Sequence, residues 1–561
     1  MQPSSFRAGI TMESFTWLFR RRGGGEGRFD YSAQLRGNRP AILRTRGAFW
    51  ENPCVDNGSP GEAPPRFTAL VGPLGVAGLL FATLATATSL TKKPWFDEAH
   101  FTAPALDLVT RGSMGHPVVE PLGFASSPGI PQLRVNTRAY YAMPLSHLIP
   151  AAWYKLAGFG LFRMRALSTL WGLAGLGAWC FAVLEVTWSR AAAVCSAFLI
   201  ATDRFFVNAG ADGRPDMISA ALGALALAAY LALRRRSVTR AVLISQTLLA
   251  AAVFTHPIGG IAIFAIAIVA MGLDRARLGW RHALVAAAPF ALAGALWGWY
   301  ISADPEAFRA QIAGNSVGRF QSFTAPVRAL IDEVRLRFGD RGYLPASATG
   351  VRQITVLIPV IYAAAVIALL LARPLKRPGA RWLGAAAVTY FFVFAICDGT
   401  KAAFYLVHFT PLLACWAACW AVFEWHRRGW RRWTSAGAAA LLAVLQLLWI
   451  GYGIRRDSYR NLYLPAVAYL KQHAAPNDLI FAVSEFAFGL GFYDHVRDDS
   501  TLGYFTGKRA ELIVVEDAGY GQAFDGFARL NPGLYRYVQN TLSHDYRKVY
   551  SNAVYDVYAR R

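Results

Sequence analysis

The stretch Pro94-Trp-Phe-Asp-Glu-Ala-His-Phe101 places two adjacent carboxylates, Asp97 and Glu98, just after the first long apolar segment of the chain. A charged pair beside a bilayer is costly unless it has a task or a partner. Apolar residues follow the pair with helical spacing as far as Val109. We therefore predict an amphipathic helix that lies along the membrane surface. The two acids then either cap its first turn and favour its dipole, or carry out chemistry.

The composition is that of a polytopic membrane protein. Of 561 residues, 55% are hydrophobic and only 16% are charged, and many apolar runs have membrane-spanning length. The net charge of +23 does not indicate nucleic-acid binding, because the basic residues form short clusters between apolar runs. Such clusters are what the positive-inside rule requires.

About eleven crossings are predicted from these apolar runs. The stretch 139–158 is only moderately apolar, and we interpret it as a helix on the outer surface. The His256-Pro257 pair breaks one long apolar run into two short helices with an outer turn, because proline cannot continue the helical hydrogen bonds. The predicted crossings are 67–91, 163–186, 190–207, 215–233, 240–255, 257–272, 282–302, 353–372, 382–397, 403–423 and 434–454.

The orientation follows from the basic loops. With 139–158 kept outside, five short loops that hold 16 Lys and Arg residues lie inside, and the short outer loops hold only Arg214 and Lys401. The resulting outer pieces are 92–162, Asp212–Asp216, 303–352 and 455–561. This predicts a cytoplasmic N-terminus and, from the Ala/Arg/Gly-rich usage, a bacterial plasma membrane.

The two ends of the chain differ in character. Residues 1–66 are rich in Arg, Gly and Pro and are predicted to be a disordered cytoplasmic tail, in which Met12 is an alternative start. Residues 455–561 have a soluble composition. Strands are predicted at 479–483 and 511–516, helices near 463–473 and 520–542, and a hairpin at 546–559, which together make a small α/β domain.

The six cysteines show neither metal-type spacing nor a disulfide framework.

Several short motifs, taken in order, resemble the GT-C glycosyltransferases. The resemblance is to the family 39 group that includes protein O-mannosyltransferases and lipid A aminoarabinose transferases, and it covers roughly 67–460. The motifs are Trp95-Phe-Asp-Glu-Ala-His-Phe101, Tyr141-x-x-Pro144-Leu145, Arg163-x-Arg165, Gly213-Arg-Pro-Asp216, Thr255-His-Pro257 and Asp304-Pro-Glu-x-Phe308. The C-terminal domain resembles the variable extracytoplasmic domains of such enzymes.

The resemblance implies a fold and a reaction. An acceptor hydroxyl attacks the anomeric carbon of a polyprenyl-phosphate sugar with inversion, and the lipid phosphate leaves. A carboxylate takes the acceptor proton, and cations hold the phosphate. Asp97 matches the acidic residue of the family and is expected to be the base, with Glu98 and Asp216 as further acidic candidates.

The cations that are candidates for the donor phosphate lie in the predicted outer pieces. Arginine suits two-pronged phosphate contacts, whereas lysine acts as a point charge. Each cation is otherwise a solvated or snorkelling surface residue, and Arg214 is also open to an internal ion pair with Asp212 or Asp216. The candidates are Arg138, Arg214, Arg309, Arg319 and Lys401.

One motif departs from the family pattern. Where some relatives have Lys-Pro or His-Pro, this chain has Met143-Pro144. The phosphate or metal contact made there is then missing or is supplied by His147, so the need for a divalent cation stays open. His256 and Tyr405 are further residues expected to line the cavity, although His256 is equally suited to a structural turn.

Two other classes of function were weighed. A transporter or lipid flippase places ionisable residues near the midplane and shows repeated halves. Here the acids cluster at the outer ends of spans, and the sequence shows no repeated halves. An oligosaccharyltransferase is disfavoured because its Trp-Trp-Asp-type signature is absent. The sequence leaves the sugar and the acceptor undetermined.

Overall fold

The computed structural model describes residues 67–121, 132–316, 319, 323–344, 351–371, 379–427 and 429–561. The predicted tail, with Met12 and Cys54, lies outside the described residues. The five described cysteines all have free thiols.

The membrane part is built from apolar helices, which confirms the predicted fold class. In the described part, seven helical segments are long and apolar enough to span a membrane, and a bent pair makes an eighth. All eleven predicted crossings coincide with helical segments. The helices are α1 (Val71–Thr91), α2 (Phe96–Thr110), α3 (Leu145–Ala157), α4 (Leu161–Thr187), α5 (Arg190–Ala201), α6 (Arg204–Gly210), α7 (Asp216–Leu233), α8 (Val238–Thr255), α9 (Ile261–Asp274), α10 (Trp280–Ile301), α11 (Pro305–Ser316), α12 (Pro326–Asp332), α13 (Val351–Ile354), α14 (Leu357–Leu371), α15 (Gly379–Cys397), α16 (Thr410–Trp425) and α17 (Trp430–Arg456).

Helices form at both positions where the sequence predicts a surface helix. Helix α2 carries Asp97 and Glu98 in its first turn. Helix α3 has only 13 residues, fewer than the roughly 20 that a crossing needs. Both connect the ends of spanning helices.

Two breaks in the apolar helices have clear local causes. Helices α5 and α6 meet at an angle of 63°. At this bend the buried Asp203 carboxylate caps α6 and also accepts hydrogen bonds from Thr410 and Gln446, both at 2.8 Å. The second break separates α8 from α9, where Pro257 opens a single 3₁₀ turn, Pro257–Gly260. The polar residues at both breaks are therefore held by packing inside the helical bundle.

The C-terminal domain is a five-stranded mixed sheet with helices on both faces. Strand β1 lies parallel to β2 and β3, and β5 pairs antiparallel with β3 and β4, in the order β2-β1-β3-β5-β4. The short strand β2 was not predicted from the sequence. The elements are α18 (Leu464–His473), β1 (Ile480–Phe481), α19 (Ala487–Leu490), β2 (Val496–Arg497), β3 (Leu512–Glu516), α20 (Gln522–Leu530), α21 (Pro532–Asn540), β4 (Tyr546–Ser551) and β5 (Tyr555–Arg560).

A buried ionic cluster joins this domain to the segment between α1 and α2. The Lys93 ammonium lies 3.1 Å from Glu485 and 3.0 Å from Glu516. The Tyr555 hydroxyl donates a further hydrogen bond to Glu485. Burial raises the pKa of the Glu485 carboxyl, and with Glu516 it outweighs the lowering effect of Lys93, so that the pKa is about 7. The cluster thus places two acids around one cation.

We predict that this cluster makes the stability of the folded domain depend on pH. Between about pH 4.5 and 7, the folded protein holds a proton on Glu485 that the unfolded chain has released, so stability falls as the pH rises. Over this pH range the free energy of unfolding falls by about 3 kcal/mol because of this group. We expect Glu485→Gln to remove this loss of stability. The melting temperature of the variant should therefore fall less between pH 5 and pH 8 than that of the wild type.

The matched control is Glu511→Gln, since Glu511 is an exposed acid that pairs with Arg560 on the same sheet. The change in its melting temperature between pH 5 and pH 8 should equal that of the wild type. If the melting temperature of Glu485→Gln also changes with pH as that of the wild type does, the prediction is contradicted.

Candidate active site

A cavity of about 880 Å³ lies between the membrane helices and the C-terminal domain. Its walls come from α2, from the segment before α3, from the break between α8 and α9, and from the segment that precedes α16. The C-terminal domain closes the remaining side with residues around Asp498 and Tyr520. The membrane helices and the C-terminal domain therefore both line the cavity.

Asp97 and Asp216 meet in this region through a shared cation, Arg214. The guanidinium of Arg214 makes an ion pair with Asp97 Oδ2 and donates from Nε to Asp216 Oδ2 at 2.8 Å. Asp216 is buried, whereas the Asp97 side chain is 22% exposed. No described residue donates to Asp97 Oδ1, so this oxygen is available to a ligand.

The position of Arg214 is fixed by aromatic rings. Its guanidinium carbon lies 3.9 Å from the centroid of the Phe404 ring and 4.9 Å from that of Trp95. Contacts of this kind stabilise a partly desolvated arginine. Asp212, the other acid of this loop, pairs instead with Lys92 at 2.7 Å. Of the two ion pairs that the sequence left open for Arg214, the structure therefore has the one with Asp216.

Glu98 has a different environment from its neighbour Asp97. It is fully buried and accepts two hydrogen bonds from Arg165, at 2.8 and 2.6 Å, and one from the backbone of Gly213 at 2.9 Å. Burial alone would raise the pKa of Glu98, but Arg165 and the other donors lower it to about 2. Glu98 does not line the cavity. These contacts give it a structural role, tying α2 to α4 and to the Arg214 loop.

A second cation, Arg319, lines the cavity together with Tyr405 and His256. Its Nη1 donates to the Tyr405 hydroxyl at 3.4 Å. The ring centroids of Tyr405 and His256 lie 5.1 Å apart. The structure thus brings Asp97, Arg214, Arg319, Tyr405 and His256 to one cavity.

The remaining predicted site residues lie elsewhere, which corrects those expectations. Lys401 is buried away from the cavity and pairs with Glu333 at 3.2 Å. Arg138 stacks against Tyr300, 5.5 Å from its ring centroid. Arg309 is exposed on α11 and does not line the cavity.

His147 also differs from the expectation that it lines the cavity. It is fully buried behind Tyr141, and its Nδ1 lies 3.4 Å from the carbonyl oxygen of Phe101. Burial lowers its pKa to about 4. Met143, by contrast, does line the cavity. The side chain that replaces the lysine or histidine of some relatives therefore faces the site without a charge.

Several polar residues of the cavity were not among the predicted site residues. His100 lies one turn after Asp97 on α2, and its Nε2 is 3.6 Å from Asp498 Oδ2 in the C-terminal domain. His116 packs against His100, with ring centroids 5.1 Å apart. The spacing of His100 after Asp97 was a usable signal, but the contribution of Asp498 depends on how the two domains pack.

The chemistry that this site can perform follows from its charges. A carboxylate with one available oxygen lies beside Arg214 in a cavity with mostly apolar walls, and a second cation, Arg319, lines the same cavity. In such surroundings charges interact more strongly than in water. The arrangement can hold an anionic group near the cations and remove a proton from a hydroxyl at Asp97. Among the described residues, Asp216, His256 and His408 form a group that can hold a metal ion.

The fold is similar to those of solved structures at low sequence identity. The chain is similar to ArnT from Cupriavidus metallidurans bound to undecaprenyl phosphate, with 14% identity, 88% of this chain and 98% of that chain covered, and a TM-score of 0.52. It is also similar to the apo form of the Archaeoglobus fulgidus oligosaccharyltransferase, with 12% identity, 88% and 75% covered, and a TM-score of 0.51. No protein-family model matches the sequence, and no curated protein matches it.

We predict that the two neighbouring acids respond differently to neutralisation. Glu98→Gln leaves the Arg165 guanidinium buried without a negative partner and should destabilise the protein by about 3–5 kcal/mol. Asp97→Asn leaves Arg214 paired with Asp216 and should change stability little. Thermal unfolding of the purified, detergent-solubilised variants measures both effects. Equal melting temperatures for the two variants would rule out the structural role of Glu98.

Proposed function

We propose that the protein is a membrane glycosyltransferase that moves a sugar from a polyprenyl-phosphate donor to an acceptor hydroxyl, with inversion. The observation that carries this proposal is the placement of Asp97 next to Arg214 in a cavity that Arg319 also lines. The GT-C fold, which this chain shares with an ArnT bound to undecaprenyl phosphate, supports the same class of donor.

Each of these residues has a proposed role. Asp97 accepts the proton of the acceptor hydroxyl through Oδ1, while Arg214 orients the carboxylate through its ion pair. Arg319, aided by the Tyr405 hydroxyl, binds the donor phosphate and stabilises the charge that grows on it as the glycosidic bond breaks. Asp216 fixes Arg214 from the opposite side. Glu98, Lys401 and Arg138 have no part in this proposal.

A proposed orientation accompanies the reaction. The basic loops favour a cytoplasmic N-terminus, and the cavity and the C-terminal domain then face the outer side of a bacterial plasma membrane. The acceptor is left as a hydroxyl of a glycan, a lipid or a protein. The alternative of a transporter or flippase is disfavoured, because the paired acids and cations gather at one end of the spans, where the soluble domain closes the cavity.

We predict that Asp97→Asn abolishes sugar transfer. Loss of a general base typically lowers the rate by about 10²–10⁴-fold. Membranes that contain the protein would be incubated with a panel of radiolabelled polyprenyl-phosphate sugars, and incorporation would be compared between wild type and variant. The wild type should transfer sugar from one donor of the panel, and the variant should not transfer sugar from that donor.

A matched control is Asp212→Asn, because Asp212 pairs with Lys92 and does not line the cavity. It should retain transfer. If transfer survives in Asp97→Asn, the base is another residue. If the wild type transfers no sugar from any donor in membranes of its own source, the enzymatic proposal fails and the transporter alternative gains support.

We also predict that Arg319→Gln weakens binding of undecaprenyl phosphate about tenfold or more, because a hydrogen bond to a charged group is lost. The dissociation constant would be measured by fluorescence titration of the purified protein. Arg138→Gln is the control, since Arg138 lies outside the cavity and should leave binding unchanged. Equal weakening by both substitutions would point to general surface electrostatics instead of a phosphate site.

A further inference from the structure

Three buried side chains from three separate elements converge beside the cavity. Asp216 begins α7, His256 lies at the break between α8 and α9, and His408 ends the 3₁₀ turn Ala403–His408. Each offers one ligand atom, and the three atoms lie within 4.8 Å of one another. This spacing is compatible with a single ion bound between them, because metal–ligand bonds to nitrogen and oxygen are about 2.0–2.2 Å long.

The hydrogen bonding of the cluster is incomplete. Asp216 Oδ2 is occupied by Arg214, but Asp216 Oδ1 and His408 Nε2 have no hydrogen-bond partner among the described residues. These two atoms are 4.0 Å apart, which is too far for a hydrogen bond. Buried polar atoms normally have partners. Two unpaired ligand atoms at this separation indicate that an ion binds between them.

His256 completes the set and connects it to the cavity. Its Nδ1 accepts a bond from the Ile258 N–H at 3.3 Å, longer than a normal bond of this kind, so the ring is weakly held and can exchange this bond for a metal. His256 lines the cavity, whereas Asp216 and His408 lie behind its wall. An ion bound by all three would therefore lie in the wall, with one position open towards the cavity.

We propose that Asp216, His256 and His408 bind one divalent transition-metal ion of the zinc class. Two imidazoles and one carboxylate suit zinc, whereas magnesium and calcium prefer oxygen ligands. Arg214 does not neutralise the site, because it is shared by two carboxylates, Asp97 and Asp216. Its bond to Oδ2 orients the Asp216 carboxylate and leaves Oδ1 for the ion.

The open position gives the ion a role in ligand binding. It can accept an oxygen of an anionic group that enters the cavity beside Arg319, and so add to the charge that holds a phosphate. This role rests on the proposed function, but ion binding itself does not, so the two are tested by separate measurements.

The test uses the full-length protein without a histidine tag, stripped of metal with a chelator. Zn²⁺ would be titrated at neutral pH by calorimetry, and the bound metal counted by mass spectrometry. We expect one Zn²⁺ per chain and a melting temperature that rises with Zn²⁺. His408→Gln and His256→Gln should each weaken binding tenfold or more and remove the thermal shift.

The matched control is His147→Gln. His147 is likewise buried with an unpaired Nε2, but it lies outside the cluster. This variant should bind one Zn²⁺ as the wild type does. Unfolding of the metal-free variants, measured first, separates loss of the ligand from loss of the fold. Zinc binding that is absent in the wild type, or unchanged in both cluster variants, would overturn the proposal.

A second measurement addresses the open position. The dissociation constant of undecaprenyl phosphate, used as the probe, would be compared with and without saturating Zn²⁺. Tighter binding with Zn²⁺ in the wild type, lost in His408→Gln, is expected. Phosphate binding that needs Arg319 but ignores Zn²⁺ would overturn the role of the open position and leave the proposed enzyme intact. If undecaprenyl phosphate does not bind at all while Zn²⁺ does, the proposed function fails and the metal site stands.

Discussion

The ion pairs of Arg214 are the constraint on which the geometry of the site depends. One guanidinium contacts the carboxylates of Asp97 on α2 and Asp216 on α7, and aromatic rings enclose it. Without it, two acids would face each other at low dielectric, where like charges repel strongly. With it, α2 and the start of α7 are held together. Asp97 then lines the cavity with its second oxygen available to a ligand.

The adjacent pair Asp97-Glu98 shows how one dipeptide can serve two purposes. Successive residues on a helix point about 100° apart, so one carboxylate faces the cavity and the other faces the interior. Arg165 inside α4 neutralises Glu98, and the same acid accepts a hydrogen bond from the Arg214 loop. The buried pair thus supports the loop that carries Arg214. Arg165 thus offsets the cost of burying Glu98, and the partly exposed Asp97 stays available for chemistry.

Much of the fold was predictable, since apolar length and periodicity report directly on helices in a membrane. The positions of Asp97, Arg214, Arg319, Tyr405 and His256 at the cavity were also expected. Lys401 and His147 were expected at the cavity, but their positions in the sequence do not show which way the side chains turn. Lys401 turns towards Glu333 and His147 packs behind Tyr141. The contributions of Asp498 and Lys93 required knowledge of how the domains pack, which no local pattern contains.

The packing of the C-terminal domain has a consequence for how the cavity works. The segment before α3 is joined to this domain by backbone hydrogen bonds around Asp498, and the segment before α2 is joined to it by Lys93. The segment before α3 also supplies part of the cavity wall, and the segment before α2 leads into the helix that carries Asp97. The domain therefore contacts both segments that flank the carboxylate. Because Glu485 in that junction has a pKa of about 7, the junction is the part of the structure whose charge balance changes near neutral pH.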